Sequence, residues 1–143
     1  MTSSRAARRP PIQMIDEEAE ALTGLAIGVE GRLPQVAELL LDEIGRAKIC
    51  KSGSIAADIV VMNSTVAFLD TASGRTYDYQ LVYPKDANIS AGRISILTPV
   101  GAGLIGLREG QSILWPDRSG NERTLTIVKV SQIPSRSYSR RVA

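Results

Sequence analysis

The stretch RISILTPVGAGLIGLREGQSILW, residues 93–115, decides the fold because it holds three glycines in the spacing of a dinucleotide-binding motif. In that motif the third glycine lies in the first turn of a long helix, and the crossover it starts needs about a dozen residues or more. Here only three residues separate Gly106 from Gly110, and a second strand-like run begins directly afterwards. The sequence therefore excludes dinucleotide binding by this motif.

The same glycines suit a short helix of roughly residues 99–107. Pro99 is suited to the first helical position, and Thr98 before it is suited to cap the helix. Gly106 predicts the end of this helix, because glycine readily adopts the left-handed conformation found there. The small side chains of residues 101–103 predict a close contact between the helix and a sheet.

Strand-like segments surround this helix over residues 54–133. They are DIVVMNSTVAFLD (58–70), RTYDYQLVY (75–83), RISIL (93–97), QSILW (111–115) and ERTLTIVKVSQI (122–133). A turn signal joins the first two segments, which predicts a β-hairpin. The pattern predicts a small, mostly antiparallel sheet with one short helix, and hence an α+β fold rather than an α/β fold.

The chain before this sheet is helical. Asp16 predicts the cap of a first helix, and Pro34 predicts the start of a second one. Apolar residues recur at helical spacing along both, at Leu22, Leu25, Ala26, Val29, Val36, Leu39, Leu40, Ile44 and Ala47. Because a short turn joins them, we expect an antiparallel hairpin whose arms span about 13–16 residues, or roughly 20–24 Å.

Composition excludes several kinds of chemistry. The 143-residue chain has a net charge of +2, no histidine and one cysteine, Cys50. Without histidine, the Ser-His and Cys-His catalytic arrangements and the usual zinc sites are excluded, and we expect Cys50 to have a packing role. The sequence shows neither a bilayer-spanning run nor a signal-type apolar core, so we expect a cytoplasmic protein without a membrane partner.

Arginines are concentrated at the two ends of the chain. Residues 1–11 and 134–143 contain Ser and Arg without apolar periodicity, which predicts two disordered basic tails. The arginines concerned are Arg5, Arg8, Arg9, Arg136, Arg140 and Arg141. We expect at most a weak, salt-dependent contact between these tails and nucleic acid.

The segment VYPKDANISAGRISILTPVGAGLIGLREGQSILW, residues 82–115, resembles the C-terminal domain of the GreA/GreB transcript-cleavage factors. The matching positions are Ser95, Ile96, Thr98, Pro99, Ala102, Leu104, Ile105, Gly106 and Gly110. The resemblance covers roughly residues 12–133 and is strongest to the Rnk-type members, the regulators of nucleoside diphosphate kinase. It implies a short helical hairpin over residues 12–53 and an FKBP-like domain over residues 54–133.

The resemblance also implies docking on RNA polymerase near the rim of its secondary channel. In the family, an Asp-Ser-Pro loop before the short helix belongs to the docking segment; here Thr98 and Pro99 match Ser-Pro, and Leu97 replaces the Asp. The loop after the second strand adds two candidates, because loops on a rigid scaffold often carry binding residues. The predicted partner-binding residues are Leu97, Thr98, Pro99, Val100, Lys85 and Asp86.

In GreA and GreB a long hairpin inserts acidic residues into the polymerase active centre, where they help to hold a metal. The helices predicted here are about half as long as such a finger requires. Their tip, GVEGRLP, offers Glu30 beside Arg32, which is a poor ligand set for Mg²⁺. We therefore expect a regulator that competes with longer factors for polymerase and does not stimulate cleavage. We expect no enzyme activity, cofactor or small-molecule substrate.

Two other functions stay open. An FKBP-like fold suggests a peptidyl-prolyl isomerase, whose pocket needs an apolar floor with several aromatic side chains. Tyr77, Tyr79 and Tyr83 instead favour half-buried packing on one face of a strand. The second alternative is a general protein-interaction module. The Rnk-type name implies an effect on nucleotide metabolism, but the sequence has no P-loop pattern GxxxxGK[ST], so we expect such an effect to be indirect.

The aspartates of the second half do not predict a metal or acid–base cluster. They lie at strand ends and in a loop, where aspartate is common because it stabilises turns. These residues are Asp58, Asp70, Asp78 and Asp86.

Overall fold

A computed structural model describes residues 10–116, 119 and 121–132. The predicted basic tails therefore lie outside the described residues, apart from Pro10 and Pro11. Among the described helices, none combines the length and the apolar character needed to cross a membrane.

Two helices of equal length form the first half. Helix α1 spans Asp16–Gly28 and helix α2 spans Pro34–Arg46, and the two pack on each other. Pro34 is the first residue of α2, as predicted, because its fixed φ suits that position. The predicted capping role of Asp16 is wrong. Ile15 occupies the N-cap position without a side-chain cap, and Asp16 is already helical, with its carboxylate accepting the N–H of Glu17 at 2.7 Å.

Two short strands flank the helices and tie them to the rest of the chain. Strand β1 (Gln13–Ile15) pairs in parallel with strand β2 (Lys48–Cys50). The N–H of Gln13 also donates to the carbonyl of Gly106 at 3.2 Å. The base of the helical pair is thereby hydrogen-bonded to the second half of the molecule.

The larger sheet has five strands: β3 (Thr65–Asp70), β4 (Arg75–Val82), β5 (Arg93–Ser95), β6 (Ser112–Pro116) and β7 (Glu122–Ser131). Their order in the sheet is β5-β4-β3-β7-β6. Three of the four pairings are antiparallel, but β4 and β5 are parallel, with Gln80 opposite Arg93. The sheet is therefore mixed: most of it is antiparallel, as predicted, but the β4–β5 pairing is parallel, which corrects the prediction at this edge. Residues 83–92 cross back through two single-turn 3₁₀ helices, so β5 runs in the same direction as β4.

The first predicted strand is shorter than expected. Of residues 58–70, only Thr65–Asp70 are a strand. The N–H of Val61 donates to the Ser64 hydroxyl at 3.1 Å, and Asn63 has a φ of 70°. Together they form a turn before the strand. Asparagine suits this position because it adopts the left-handed conformation more readily than most residues.

Helix α3 (Pro99–Leu104) packs against both α2 and β6. One hydrophobic cluster joins the helical pair, the large sheet and α3. Its fully buried members include Leu22, Leu40, Leu81, Ile96, Leu104, Trp115 and Ile127. Each such side chain contributes about 1.5–3 kcal/mol through burial. Because this core is shared, the division into residues 12–53 and 54–133 stays a prediction.

Candidate functional site

The start of helix α3 has the local structure that its sequence predicts. Thr98 is extended, and its hydroxyl oxygen accepts the N–H of Gly101 at 3.0 Å. The same hydroxyl donates to the carbonyl of Ser95 at 2.8 Å. Pro99 is the first helical residue, so the predicted cap and helix start are both confirmed.

The glycines of this segment allow close packing, as predicted. A Cβ on Gly103 would lie 2.8 Å from the Trp115 ring. Gly106 follows the helix with a φ of 85°, and a Cβ there would lie 2.9 Å from the carbonyl oxygen of Gln13. Gly103 is required for the close approach to Trp115. Gly106 is required both for a close approach and for its left-handed conformation.

The predicted partner-binding residues of this segment differ in exposure. Pro99 is buried, and its carbonyl accepts a hydrogen bond from the indole N–H of Trp115. Its burial leaves the Pro99 side chain little surface for direct contact with a partner. Leu97, Thr98 and Val100 are half-buried, which leaves part of each side chain at the surface.

A surface groove runs from the N-terminus of α3 across the sheet. One part, of about 370 Å³, is lined by Ala87, Asn88, Ile89, Arg93, Ile94, Ser95, Thr98 and Val100. The adjoining part, of about 290 Å³, is lined by Phe68, Asp70, Tyr77, Tyr79, Ile89, Ile94, Val100, Arg123 and Leu125. Three residues (Ile89, Ile94 and Val100) line both parts, so we treat the two as one surface and call it the head groove.

Stacked aromatic rings form part of the lining of the head groove. The ring centroids of Phe68 and Tyr77 are 5.5 Å apart, and those of Tyr77 and Tyr79 are 6.0 Å apart with an interplanar angle of 13°. The β3–β4 register places Phe68 directly opposite Tyr77. The sequence indicated the tyrosines but not Phe68, because the contact depends on strand register. These rings give the groove a largely apolar, rigid wall.

An ion pair between the buried Asp70 and the partly exposed Arg123 lies in the lining of the head groove. The Asp70 carboxylate is 2.6 Å from Nη2 of Arg123 and also accepts the N–H of Ala72 at 3.1 Å. Burial raises the pKa of Asp70, but these hydrogen bonds and the charge of Arg123 outweigh that effect and hold the pKa below its usual value. Asp70 is therefore a charged, locally satisfied group.

The loop residues Lys85 and Asp86 lie beside the head groove rather than in its lining. Nζ of Lys85 is 3.2 Å from the Asp86 carboxylate, and both side chains are exposed. The Asp86 carbonyl accepts Nε of Arg93 at 2.8 Å, and Arg93 lines the groove. Arg93 thus connects the loop to the groove that Thr98 and Val100 line.

Among the described residues, the two remaining aspartates, Asp58 and Asp78, do not form a metal or acid–base cluster. Asp58 pairs with Nε of Arg108 at 3.1 Å, and Asp78 is exposed on β4. Within the described ranges, no group of three or more Cys, Asp or Glu side chains is arranged to hold a metal ion.

The tip of the helical pair has mixed character. Glu30 and Arg32 are both exposed in the turn between α1 and α2. Ile27 is 56% exposed and Leu33 is 36% exposed, so large apolar side chains accompany the single carboxylate.

Comparisons with known proteins match both halves of the chain. Residues 55–132 match the family described as transcription elongation factor, GreA/GreB, C-term. Over 126 residues the chain is 33% identical to the regulator of nucleoside diphosphate kinase of Escherichia coli (strain K12), which covers 88% of this chain and 93% of that protein. It is 36% identical over 101 residues to transcription elongation factor GreA of Azorhizobium caulinodans, covering 71% of this chain and 61% of that one.

A solved structure has the same fold. The prokaryotic transcription elongation factor GreA/GreB from Nitrosomonas europaea superposes with a TM-score of 0.66 at 36% identity, covering 87% of this chain and all of that chain (100%). The chain described here therefore belongs to the GreA/GreB family of transcription elongation factors. The chain also covers nearly all of the Escherichia coli regulator of nucleoside diphosphate kinase, whereas it covers only 61% of the Azorhizobium caulinodans GreA protein. The resemblance predicted from the α3 segment is confirmed.

Proposed function

We propose that this protein is a transcription regulator that binds RNA polymerase through the head groove, near the secondary channel. It competes there with GreA/GreB-type factors and does not stimulate transcript cleavage. The observation that carries the proposal is the position of Thr98 and Val100. These residues match or follow the family's docking segment, and they line a largely apolar surface groove.

The lining of the groove suits a protein partner. Ile89 is 59% exposed and contributes to both parts of the groove. Aromatic and aliphatic groups in a preformed concave surface are typical of the central, desolvated part of an interface, and exposed charges such as Lys85 suit its rim. Leu97 replaces the family's Asp, so the contact proposed here depends on apolar burial more than on an acidic group.

The helical pair supports a role without catalysis. Each helix has 13 residues, which corresponds to about 20 Å. The tip presents Glu30 beside Arg32, together with the exposed Ile27. A single carboxylate near a cation is a poor magnesium ligand set. A factor that docks at the shared site with this tip would therefore exclude longer factors without supplying a metal-holding group.

Two further parts of the proposal concern architecture. The helical pair is the shortened counterpart of the family's hairpin, and residues 54–133 are the counterpart of its FKBP-like domain. Prolyl isomerase activity is not proposed, because the relatives above are named as regulators or elongation factors.

The experiment is a binding measurement between purified RNA polymerase and the chain, with substitutions chosen by exposure. Ile89→Glu places a charge in the groove at an exposed position and should weaken binding by about tenfold or more, which is about 1.4 kcal/mol. Val128→Glu is the matched control, because Val128 is 55% exposed on β7 and is not among the residues that line the groove. Thr98 and Pro99 are poorer choices, since one caps α3 and the other is buried.

Retained binding by Val128→Glu together with weakened binding by Ile89→Glu supports the assignment. Equal binding by both variants would remove the head groove from the interface. Absence of binding by the wild-type chain would remove the proposed partner.

A further inference from the structure

A second groove lies on the helical pair, away from the head groove. It has a volume of about 360 Å³ and is lined by Glu30, Pro34, Ala37, Glu38, Leu41 and Asp42. We call it the α2 groove. Its floor is apolar, with Ala37 buried and Leu41 half-buried, and its rim carries three exposed carboxylates.

The rim carboxylates of the α2 groove have no cationic partner in the part of the chain that the structure describes. The ion pairs of the described residues involve other acids. Glu38 and Asp42 are four residues apart on α2, so they lie on one face and repel each other. A positively charged occupant would relieve this repulsion.

The distribution of charge along the chain indicates which segment supplies that occupant. Residues 16–46 contain eight carboxylates and two arginines. Residues 1–9 contain three arginines (Arg5, Arg8 and Arg9) and no acidic residue. The two segments therefore have complementary charge.

The described chain begins at Pro10, beside the C-terminal end of α2. The carbonyl of Pro10 accepts Nη1 of Arg46 at 2.6 Å, so α2 itself holds the chain at this point. Arg46 follows Asp42 by four residues, about 6 Å along the helix axis. Nine extended residues reach about 30 Å, more than the length of α2, which is about 20 Å.

We propose that residues 1–9 bind the α2 groove of the same chain, with their arginines paired to Asp42, Glu38 and Glu30. Their aliphatic stems cover Leu41 and Ala37, as arginine stems commonly cover apolar surface. The contact neutralises the acidic face of the helical pair. Since the pairs are at the surface, salt weakens the contact. This inference does not depend on the proposed polymerase binding.

The test uses paramagnetic relaxation in the full chain. A nitroxide is attached at Ser4→Cys in a Cys50→Ser background, and the amide signals of residues 37–42 are followed at low salt. We expect those signals to broaden, and the broadening to be lost in 0.5 M salt (a Debye length of roughly 4 Å) and in the variant R5S/R8S/R9S. Glu38→Gln/Asp42→Asn should abolish it too, whereas Glu17→Gln/Glu20→Gln, the same charge change at exposed positions of α1, should not.

Other occupants give different results, each of which overturns the proposal. Broadening from a nitroxide at Ser139→Cys but not at Ser4→Cys would assign the groove to the other end of the chain. Broadening only between a labelled and an unlabelled molecule would indicate a second copy. Absence of broadening would show that residues 1–9 do not bind the groove, and broadening that is unchanged by salt and by the charge substitutions would contradict the arginine–carboxylate pairing. Chemical-shift differences between the wild type and R5S/R8S/R9S, confined to residues 30–42, supply the same test without the Cys50 substitution; unchanged shifts there would contradict the proposal.

Discussion

The indole N–H of Trp115 donates to the carbonyl of Pro99, and both residues are buried. This bond fixes the first residue of α3 to strand β6. The Trp115 ring then lies where only a glycine at position 103 allows the helix to approach. The buried contacts of Trp115 therefore fix the position of the half-buried residues Thr98 and Val100 at the start of α3.

Substitution of Gly103 by alanine tests this close approach. Gly103→Ala places a Cβ 2.8 Å from the Trp115 ring and should lower the free energy of unfolding by about 1–3 kcal/mol. Gly45→Ala is the matched control, because Gly45 lies in α2 and its Cβ would meet no atom within 4 Å. That control should gain about 0.5–1 kcal/mol from helix propensity. Urea unfolding measures the free energy of unfolding of both variants. If both variants changed stability in the same direction, the proposed close packing at Gly103 would be contradicted.

The ion pair between Asp70 and Arg123 predicts a pH-dependent stability. Because the folded pKa of Asp70 is lowered, its stabilising contribution is present above the unfolded pKa of about 3.9 and is lost as the pH falls through the folded pKa. Asp70→Asn should lower the free energy of unfolding by about 1–3 kcal/mol at pH 7.

The difference between Asp70→Asn and the wild type should shrink as the pH is lowered from about 4 to about 2. Urea unfolding across this range measures it. Asp78→Asn, an exposed carboxylate on the adjacent strand β4, is the control and should show little effect. A deficit for Asp70→Asn that is the same at every pH would contradict the assignment.

Glu18 links the first turn of α1 to the loop before β3. Its carboxylate accepts the N–H of Met62 at 3.1 Å, and burial raises its pKa although this hydrogen bond opposes the shift. A raised folded pKa gives a contribution to stability that is present below the unfolded value of about 4.3 and is lost as the pH rises through the folded pKa.

Two substitutions at this position separate charge from hydrogen bonding. Glu18→Gln keeps an acceptor for the Met62 N–H and should be more stable than the wild type at pH 7, with the advantage disappearing below about pH 4. Glu18→Ala leaves that N–H unsatisfied and should lose about 1–3 kcal/mol. Thermal or urea unfolding measures both against Glu20→Gln, an exposed position on α1. Equal losses of stability at pH 7 for Glu18→Gln and Glu18→Ala would contradict the conclusion that burial disfavours the charged form of Glu18.

Local signals allowed α3 to be predicted from the sequence. The Thr98 cap, the Pro99 start and the Gly106 end each depend on neighbouring residues, and all three are confirmed. Residues 58–64 were harder, because their β-branched composition predicts a strand. The turn that replaces it is made by the Ser64 hydroxyl and the conformation of Asn63.

Features that depend on distant residues could not be predicted in the same way. The parallel pairing of β1 with β2 joins segments only three residues long, which have too little length to show a period. The head groove depends on Phe68 facing Tyr77 across two strands and on Ile89 and Val100 meeting beside them. Strand register and the crossover after β4 decide these contacts, and neither is encoded in a local pattern.

The most direct test of the central claim is a transcript-cleavage assay on stalled RNA polymerase complexes. The protein alone should produce no cleavage above background, and an excess of it should suppress GreA-stimulated cleavage progressively, with Ile89→Glu suppressing less and Val128→Glu suppressing as the wild type does. Cleavage stimulated by the protein itself, or GreA activity unchanged at every excess, would contradict the proposal.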